Sequence, residues 1–302
     1  MTGLLDGLRV ALGARVRLNE PLALHTTFRI GGTADLFIEA KTLDELIGFA
    51  RQAQQRGIPI FILGNGSNVL IRDSGMRGLV IENHSDQISL DLINSERAIL
   101  RAESGATLPG IANRLARQGW SGLEWAIGVP GTIGGAVVGN AGAHGVCIAD
   151  NVIRVAILDT TGAMCELPKT ELAFDYRTSR FKRAKDEIIL RADFEMRHDD
   201  PHACIARMNQ YTEHRRCAQP TEPSVGSMFK NPPGDSAGRL IDQAGLKGAR
   251  VGSVEVSPAH ANFFVNRGGA TASDVIQLIE MVRERVRAKF GIELELEIEI
   301  VG

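Results

Sequence analysis

Seven glycines occupy eighteen positions between Gly128 and Gly145, in the sequence GVPGTIGGAVVGNAGAHG, here called the glycine segment. Glycine at this density adds backbone freedom that folding must remove, so it favours left-handed turns, close backbone approach or exposed amides over an ordinary helix or strand. None of the intervening side chains is acidic. Amides without a neighbouring carboxylate can bind a phosphate or pyrophosphate. A packing corner between two sheets is the alternative, and this segment alone does not decide between them.

A second glycine-rich motif, GNGSN at 64–68, joins a buried strand at 58–63 to a second apolar run at 69–71. A dinucleotide-binding G-x-G-x-x-G would need glycine where Val69 stands, and a Walker loop would need a lysine that neither glycine-rich stretch contains. Both common phosphate motifs are therefore excluded. A polar turn between two apolar strands is also typical of a plain hairpin, so this motif alone is weak evidence.

Three later stretches carry polar side chains that could do chemistry. FDYRTSRFK at 174–182 mixes aromatic with basic residues, which on composition alone favours a solvated loop with extended arginines. GSMFKNPP at 226–233 contains a serine with no histidine nearby and no G-x-S-x-G frame, which disfavours a serine hydrolase. In the final stretch, 292–300, isoleucines and leucines alternate with four glutamates, which predicts a strand with one wet, acidic face.

The elements that would position these residues alternate between helix and strand. Two strand-like pieces surround a turn at 31–32, and Thr42 and Glu45 form a capping pair for the helix that follows. Further strands are predicted at 58–63, 69–71, 78–81, 86–105 and 152–196, and further helices at 108–118, 201–216 and 272–290. Thr107 is expected to cap the helix at 108, and Thr271 with Asp274 the last one.

Composition restricts the classes of partner. The 302 residues suggest about two domains, and a net charge of −2 gives no electrostatic reason to bind nucleic acid or a membrane surface. The N-terminal residues lack the layout of a signal peptide, so we expect a cytoplasmic protein. The histidines form no metal-binding motif, and no metal site is expected. Four widely spaced cysteines are expected to be reduced thiols: Cys147, Cys165, Cys204 and Cys217.

Taken in order, these motifs resemble the UDP-N-acetylenolpyruvoylglucosamine reductases, flavoenzymes of bacterial cell-wall precursor synthesis. The matching segments are TTFRIGG at 26–32, GNGSNVLIRD at 64–73, the glycine segment, YRTSRFK at 176–182, GSMFKNP at 226–232 and the glutamate-rich end. The resemblance implies an α+β fold, with a two-part FAD-binding module of the PCMH or vanillyl-alcohol-oxidase type and a smaller α/β substrate-binding domain. We expect an N-terminal helical segment at 1–23, FAD-binding subdomains at 24–84 and 85–198, and the substrate domain at 199–302.

The resemblance also implies the reaction and its cofactors. NADPH would reduce FAD, and a hydride would then pass to the double bond of UDP-N-acetylglucosamine enolpyruvate to give UDP-N-acetylmuramate. The FAD is expected to be non-covalent, since His25 and His84 are better explained as structural or surface residues. The residues implied to bind FAD are Gly64, Asn65, Gly66, Ser67, Asn68, Pro130, Gly131, Thr132, Ile133, Gly134, Gly135, Asn140, Ala141, Gly142 and Ala143.

By the same resemblance, Ser227 is the proton donor, and Arg177 with Glu297 stabilises the charge that develops on the substrate. Weaker candidates for substrate contact are Tyr176, Lys230 and Asn231, and either Arg215 or Arg216 would meet the diphosphate. The chain departs from the family pattern twice. No tyrosine-bearing insertion follows the arginine motif, which indicates the shorter subtype, and Glu299 stands where a basic residue is usual, which leaves the register of Glu297 open.

Two other functions stay open at this stage. One is a related FAD-dependent oxidase or dehydrogenase acting on another small alcohol or sugar acid, although the YRTS and GSMFKNP motifs favour the reductase. The other is a nucleotide-binding regulatory or structural protein without catalysis. The preference for NADPH over NADH comes from the resemblance alone. The sequence carries no signal for oligomeric state, and we expect a monomer.

Overall fold

The computed structural model describes residues 2–302, with the side chains of Thr2, Cys217 and Ala218 excepted. Its helices are α1 Thr2–Leu12, α2 Leu43–Gln54, α3 Leu108–Arg117, α4 Ile133–Gly139, α5 Ile148–Asn151, α6 Pro201–Ala218, α7 Ala237–Gln243 and α8 Ala272–Phe290. Short 3-10 turns cover Leu22–His25, Glu124–Gly128, Lys169–Glu171 and Arg180–Lys182. Cys147, Cys165 and Cys204 are free thiols as predicted, and Cys217 lies outside the described side chains.

The strands are β1 Arg17–Pro21, β2 Thr33–Ala40, β3 Ile60–Leu63, β4 Val69–Ile71, β5 Met76–Asn83, β6 Ile88–Leu92, β7 Arg97–Glu103, β8 Trp120–Ser121, β9 Gly142–Ala143, β10 Val146–Cys147, β11 Val152–Leu158, β12 Met164–Pro168, β13 Ile188–His198, β14 Ser224–Ser227, β15 Arg250–Val251, β16 Val254–Val256, β17 Phe263–Asn266 and β18 Glu299–Val301. One sheet has the order β1-β2-β5-β3, and an antiparallel sheet has the order β12-β11-β13-β7-β6. A third has the order β14-β17-β16-β15, and β18 pairs with β4 in parallel.

The chain divides into two compact units, each built from separated segments. The first unit contains Leu36–Gly64, Gly78–Arg215 and the N-terminal residues up to Arg17. The second contains Leu18–Asp35, Asn65–Arg77 and Arg216–Gly302. This grouping by compactness is not the sequential division at 1–23, 24–84, 85–198 and 199–302. That division concerns which residues bind cofactor and substrate, and it remains a prediction.

The first unit has two hydrophobic cores. One lies between α3, α4 and the antiparallel sheet, and it fully buries Trp125 and Phe194. The apolar face predicted for α3 is confirmed, because Leu108, Ile111 and Leu115 are all buried there. The other core joins α1 and α2 to the apolar faces of β2 and β5. The first of these cores therefore holds the glycine segment and the elements next to it.

The second unit forms one core around α8. Residue spacing predicts a buried stripe of Val275, Ile279, Val282, Val286 and Phe290, and all of them are buried except Phe290, which is partly buried. The predicted capping box is complete. The Asp274 amide donates to the Thr271 hydroxyl oxygen at 3.1 Å, and the Asp274 carboxylate accepts from the Thr271 amide at 3.0 Å. The helix ends at Gly291 in the left-handed conformation, as expected. Phe28, Ile30 and Leu70, from the two N-terminal segments of the unit, belong to the same core.

Three predictions about local structure are wrong or incomplete. Residues 22–30 form a 3-10 turn and a tight loop rather than a strand, held by the Thr26 hydroxyl, which donates to the Ile30 carbonyl at 3.1 Å. GNGSN is not a hairpin, because β3 pairs with β5 and β4 pairs with β18, both in parallel. The terminal strand covers only Glu299–Val301, although the predicted apolar side chains at 292–300 do pack in the core.

Candidate active site

The glycine segment contains α4, which glycine density argued against. The helix forms because Thr132 caps its start, accepting from the Gly135 amide at 3.5 Å, and because Ile133, Ala136 and Val137 are buried on one face. Residues before and in its first turn also pair with the β7–α3 loop. The Ile133 amide donates to the Ala106 carbonyl at 2.9 Å, and the Gly134 amide to the Ser104 carbonyl at 2.8 Å. Tertiary packing and capping thus override the low helix propensity of glycine.

The same segment approaches Gly64, the first residue of GNGSN, within the first unit. A Cβ atom added to Gly64 would lie 2.6 Å from the Thr132 hydroxyl oxygen, so only glycine permits this approach. The amides of Gly131 and Thr132 meet no acceptor in the part of the protein that the structure describes, although Thr132 is buried. Close glycine backbone with unpaired N–H groups fits an anionic group such as the pyrophosphate of FAD. No carboxylate belongs to the segment.

Other predicted cofactor residues have their polar groups bonded within the protein. This applies to the amides of Ile133 and Gly134 and to the Ala141 amide, which donates to the Ala136 carbonyl at 2.8 Å. The Asn140 side chain donates to the Asp175 carbonyl at 3.0 Å and accepts from the Ala149 amide at 3.0 Å. These groups shape the segment, and Gly131 and Thr132 are left as its better candidates for direct cofactor contact.

The glycine segment ends in a hairpin of β9 and β10, whose turn residues His144 and Gly145 both have positive φ. The His144 ring stacks on Tyr211 of α6 with 4.3 Å between centroids. Partial burial, reinforced by the nearby His214 and Arg215, lowers the pKa of His144. Arg215 itself lies over Gly128, and burial lowers its pKa too. Of the two arginines predicted for the diphosphate, Arg215 is therefore the one at the glycine segment.

Arg177 stands at the tip of a tight turn in the first unit. Asp175 and Thr178 exchange two backbone hydrogen bonds of 3.1 Å, which leaves Tyr176 and Arg177 at the tip. Arg177 has φ 55°, an uncommon conformation for a non-glycine residue. Its guanidinium donates to the Gly142 carbonyl at 2.9 Å and lies 5.1 Å from the centre of the Tyr176 ring. The turn is thus bonded to the glycine segment and is not a detached, solvated loop.

The residues following the turn anchor it. The Ser179 hydroxyl donates to the Val138 carbonyl of α4 at 2.8 Å, and Ser179 is 3% exposed. Phe181 is buried in the same core as α4. These contacts correct the solvated-loop interpretation that composition favoured for this segment.

In the second unit, the residues that follow Ser227 pair with the segment that contains Glu297. The Glu297 amide donates to the Met228 carbonyl at 2.9 Å, Phe229 forms a bridge with Leu296, and the Lys230 amide donates to the Glu295 carbonyl at 2.8 Å. The segment after Ser227 therefore runs antiparallel to the glutamate-rich end. Ser227 itself follows Gly226, whose φ of 80° produces an irregularity in β14.

Asn262, which the sequence analysis did not identify, holds this segment in place. It is 3% exposed, and its side chain both accepts from the Phe229 amide at 2.9 Å and donates to the Phe229 carbonyl at 2.7 Å. At the other end of β17, the Asn266 side chain donates to the Phe28 carbonyl at 3.0 Å and so holds the TTFRIGG segment. Both asparagines flank the apolar run FFV at 263–265. Paired polar residues at the two ends of a buried strand were the available signal.

GNGSN and TTFRIGG meet these elements within the second unit. The Thr27 amide donates to the Gly66 carbonyl at 3.2 Å, and the Thr27 hydroxyl donates to the Ser224 carbonyl at 2.7 Å. Asn68 is bonded through its carbonyl to the Glu299 amide at 3.0 Å. The amides of Asn65 and Gly66 have no acceptor among the described residues. Motifs that are far apart in the sequence thus share one compact unit.

The remaining predicted substrate residues also lie in the second unit. The Lys230 ammonium is 3.3 Å from the Glu295 carboxylate, which is largely exposed. The Asn231 side-chain oxygen accepts from the Ala237 amide at 3.0 Å, at the start of α7. His25 pairs with Glu20 at 2.9 Å in this unit, in agreement with a structural role. Among the described residues, no cluster of three or more His, Cys, Asp or Glu side chains could hold a metal ion.

Comparison with known proteins agrees with this geometry. Residues 34–168 match the family model described as FAD binding domain, and residues 219–301 match the model described as UDP-N-acetylenolpyruvoylglucosamine reductase, C-terminal domain. The protein is therefore an FAD-dependent oxidoreductase with the α+β organisation predicted from sequence, a flavin-binding module followed by a smaller C-terminal domain. No helix in the described part of the chain is long and apolar enough to cross a bilayer.

Full-length relatives identify the family. The UDP-N-acetylenolpyruvoylglucosamine reductase of Moorella thermoacetica is 45% identical and covers 100% of this chain and 98% of its own. The reductase of Chloroflexus aggregans is 42% identical, and the match covers 97% of this chain and 100% of the relative. The crystal structure of the Thermus caldophilus enzyme superposes with a TM-score of 0.80 at 36% identity, and the match covers 95% of this chain and 98% of that enzyme. The chain belongs to the UDP-N-acetylenolpyruvoylglucosamine reductase family.

Proposed function

We propose that this protein reduces UDP-N-acetylglucosamine enolpyruvate to UDP-N-acetylmuramate with NADPH, in peptidoglycan precursor synthesis. The observation that carries the proposal is the pairing of the segment after Ser227 with the segment that contains Glu297, joined by the 2.9 Å bond between the Glu297 amide and the Met228 carbonyl. A proton donor and an acidic partner are thereby held on two bonded backbone segments. We further propose that the enzyme works as a cytoplasmic monomer.

FAD would be bound without a covalent link by the GNGSN motif and the glycine segment. Support comes from the amides of Asn65, Gly66, Gly131 and Thr132, which have no protein acceptor in the described structure. When bound there, FAD would supply hydride transfer from NADPH to the double bond of the enolpyruvyl group. The remaining glycines of the segment permit close backbone approach to the cofactor. The boundaries proposed for this module remain 24–84 and 85–198, with substrate binding by 199–302.

Hydride addition to the enolpyruvyl double bond leaves negative charge on the carbon that bears the carboxylate, and that carbon must be protonated. We assign the proton to the Ser227 hydroxyl. The Arg177 guanidinium would stabilise the developing charge, because its planar fork offers two parallel donors to a carboxylate. Glu297 would complete the stabilising pair. Its backbone is held on both sides: the Glu297 amide donates to the Met228 carbonyl, and the Asn68 side chain donates to the Glu297 carbonyl at 3.5 Å.

Further substrate contacts are proposed for Lys230, Asn231 and Tyr176, and Arg215 is our choice over Arg216 for the diphosphate. Tyr176 is 47% exposed beside Arg177, as a contact residue would be. Residues 183–187 connect to β13 without a tyrosine, which supports the shorter subtype.

The decisive experiment separates the two half-reactions without oxygen. Purified enzyme is reduced with NADPH, mixed with UDP-N-acetylglucosamine enolpyruvate, and followed by flavin absorbance. Reoxidation by this substrate is expected. Reoxidation by oxygen alone would favour an oxidase, and purified protein that binds no flavin would favour a role without catalysis.

Ser227→Ala tests the proton donor in the same assay. Reduction by NADPH should stay near normal, whereas substrate-dependent reoxidation should slow about 10²-fold or more, the usual cost of losing a positioned acid. Ser224→Ala, in the same strand, is the matched control and should leave both rates unchanged. Equal damage to both half-reactions in Ser227→Ala would assign Ser227 to the fold or the cofactor.

A further inference from the structure

Asn140 connects the end of α4 to the turn that carries Arg177. It ends the helix in the left-handed conformation, with φ 42°, and only 5% of it is exposed. Its side-chain nitrogen donates to the Asp175 carbonyl at 3.0 Å, and its side-chain oxygen accepts from the Ala149 amide at 3.0 Å. The nitrogen and the oxygen of this amide are therefore both bonded inside the protein, where they join the end of α4 to Asp175 and Ala149.

The turn needs such a support. The bonds between Asp175 and Thr178 close it, and its tip residue Arg177 has a positive φ that a non-glycine residue adopts at an energetic cost. On the Asp175 side the turn is bonded to Asn140, and just beyond Thr178 it is bonded through Ser179 to the Val138 carbonyl. Both sides of the turn are therefore bonded to the C-terminal end of α4, through Val138 in the helix and Asn140 at its cap.

We propose that Asn140 is a positioning residue for Arg177: its amide N–H group fixes the Asp175 carbonyl, and so sets where the guanidinium stands during reduction of the substrate. The inference rests on the proposed role of Arg177. The Arg177 guanidinium also donates to the Gly142 carbonyl at 2.9 Å, two residues beyond Asn140. The turn backbone and the side chain of Arg177 are therefore both bonded to residues 140–142. Small displacements of a positioned catalytic group have large effects on rate.

The sharpest variant is Asn140→Asp. It keeps an oxygen for the Ala149 amide and a side chain that tolerates the left-handed conformation, but it replaces the donor with an oxygen that faces the Asp175 carbonyl. Substrate-dependent reoxidation should slow about 10-fold to 100-fold. Flavin content and the rate of reduction by NADPH should stay within about twofold of wild type, because the helix and its amides are untouched.

A double-mutant cycle then tests whether Asn140 acts through Arg177. In the Arg177→Ala background, adding Asn140→Asp should slow reoxidation by no more than about twofold, because the group that it positions is gone. Full multiplication of the two effects would overturn the proposal, and so would equal loss in both half-reactions. If Arg177→Ala alone leaves reoxidation unchanged, the assigned role of Arg177 is wrong, which is a failure of the proposed function and is distinguishable from a failure of the coupling.

Asn140→Gly serves as a second variant should the aspartate prevent folding. Glycine readily adopts the left-handed conformation at a helix end and removes both side-chain bonds. The same selective slowing of substrate-dependent reoxidation is expected. A folded, flavin-containing Asn140→Gly enzyme with wild-type reoxidation would refute the positioning role.

Discussion

Asp73, the last residue of GNGSNVLIRD, should contribute to stability through α8. Its carboxylate accepts from the Ala272 amide at 2.8 Å, from the Ser273 amide at 3.0 Å and from the Ser273 hydroxyl at 2.6 Å. Ala272 and Ser273 begin the helix, and Thr271 already caps the next amide. A negative charge at a helix start is also favourable. Asp73→Ala should therefore lower the free energy of unfolding.

The size of the effect follows from exposure. Charge-assisted hydrogen bonds are worth roughly 1.5–3 kcal/mol each when water is excluded. Asp73 is exposed, however, so water can replace much of what is lost. The loss of a helix cap, about 1–2 kcal/mol, is then the better estimate. For a protein of 302 residues, that corresponds to a decrease of roughly 2–3 °C in Tm.

The direction in which this stabilisation changes with pH follows from the pKa of Asp73. Burial acts to raise the pKa of Asp73, but the hydrogen bonds from Ser273 and Ala272 outweigh it, so the pKa lies below its ordinary value. Its contribution is therefore present above the unfolded pKa of about 4 and is lost as pH falls through the folded value.

Thermal unfolding followed by circular dichroism at pH 7 and at pH 3.5 measures both effects. The difference in Tm between wild type and Asp73→Ala should shrink at the lower pH. Glu284→Ala replaces an exposed carboxylate on α8 and should change stability by less than about 0.5 kcal/mol. A Tm for Asp73→Ala equal to that of Glu284→Ala at pH 7 would refute the capping argument.

Two further predictions use the same instruments. Gly66→Ala should destabilise the protein by at least about 2 kcal/mol and reduce its FAD content, because Gly66 has φ 59° and an added Cβ would lie 2.4 Å from the His25 carbonyl oxygen. Gly139→Ala, where an added Cβ meets nothing within 4 Å, should be tolerated, and equal Tm values for the two variants would contradict the steric argument. His144→Asn should reduce the decrease in Tm between pH 7.5 and pH 5.5. The pKa of His144 is lowered in the folded protein, so its stabilising contribution is present above the unfolded pKa of about 6.5 and is lost as the pH falls below that value. Asparagine accepts the positive φ at this position, so unchanged pH dependence of Tm would exclude His144 as the cause.

Sequence reasoning worked best where a signal was local. The capping pair of α8 and four of the five residues of its predicted buried stripe are confirmed, because each depends on spacing within one helix. The capping pair at α2 was half right. Thr42 accepts from the Glu45 amide at 3.2 Å, whereas the Glu45 carboxylate accepts from the Lys41 amide at 2.8 Å, outside the box. Thr107 precedes α3 but makes no cap bond, because it is bridged to Thr132 of the glycine segment.

What the sequence could not provide were partners distant along the chain. Nothing local in GNGSN predicts that its flanking strands pair in parallel with β5 and β18. The family motifs correctly identified the class of enzyme, but they did not distinguish residues that present free amides from residues that shape the segment. Asn140 illustrates the difference, since its motif suggests cofactor contact and its hydrogen bonds support the Arg177 turn.

The pairing of β18 with β4 also has a consequence for biosynthesis. Glu299 is the partner of Val69, so two segments that are far apart in the sequence must both be synthesised before they can pair. The core of the second unit likewise combines Phe28 and Leu70 with α8. Such non-local contacts form slowly and leave apolar surface exposed in the nascent chain. A fragment consisting of residues 216–302 alone would lack part of this core, and we therefore expect it to fold poorly by itself.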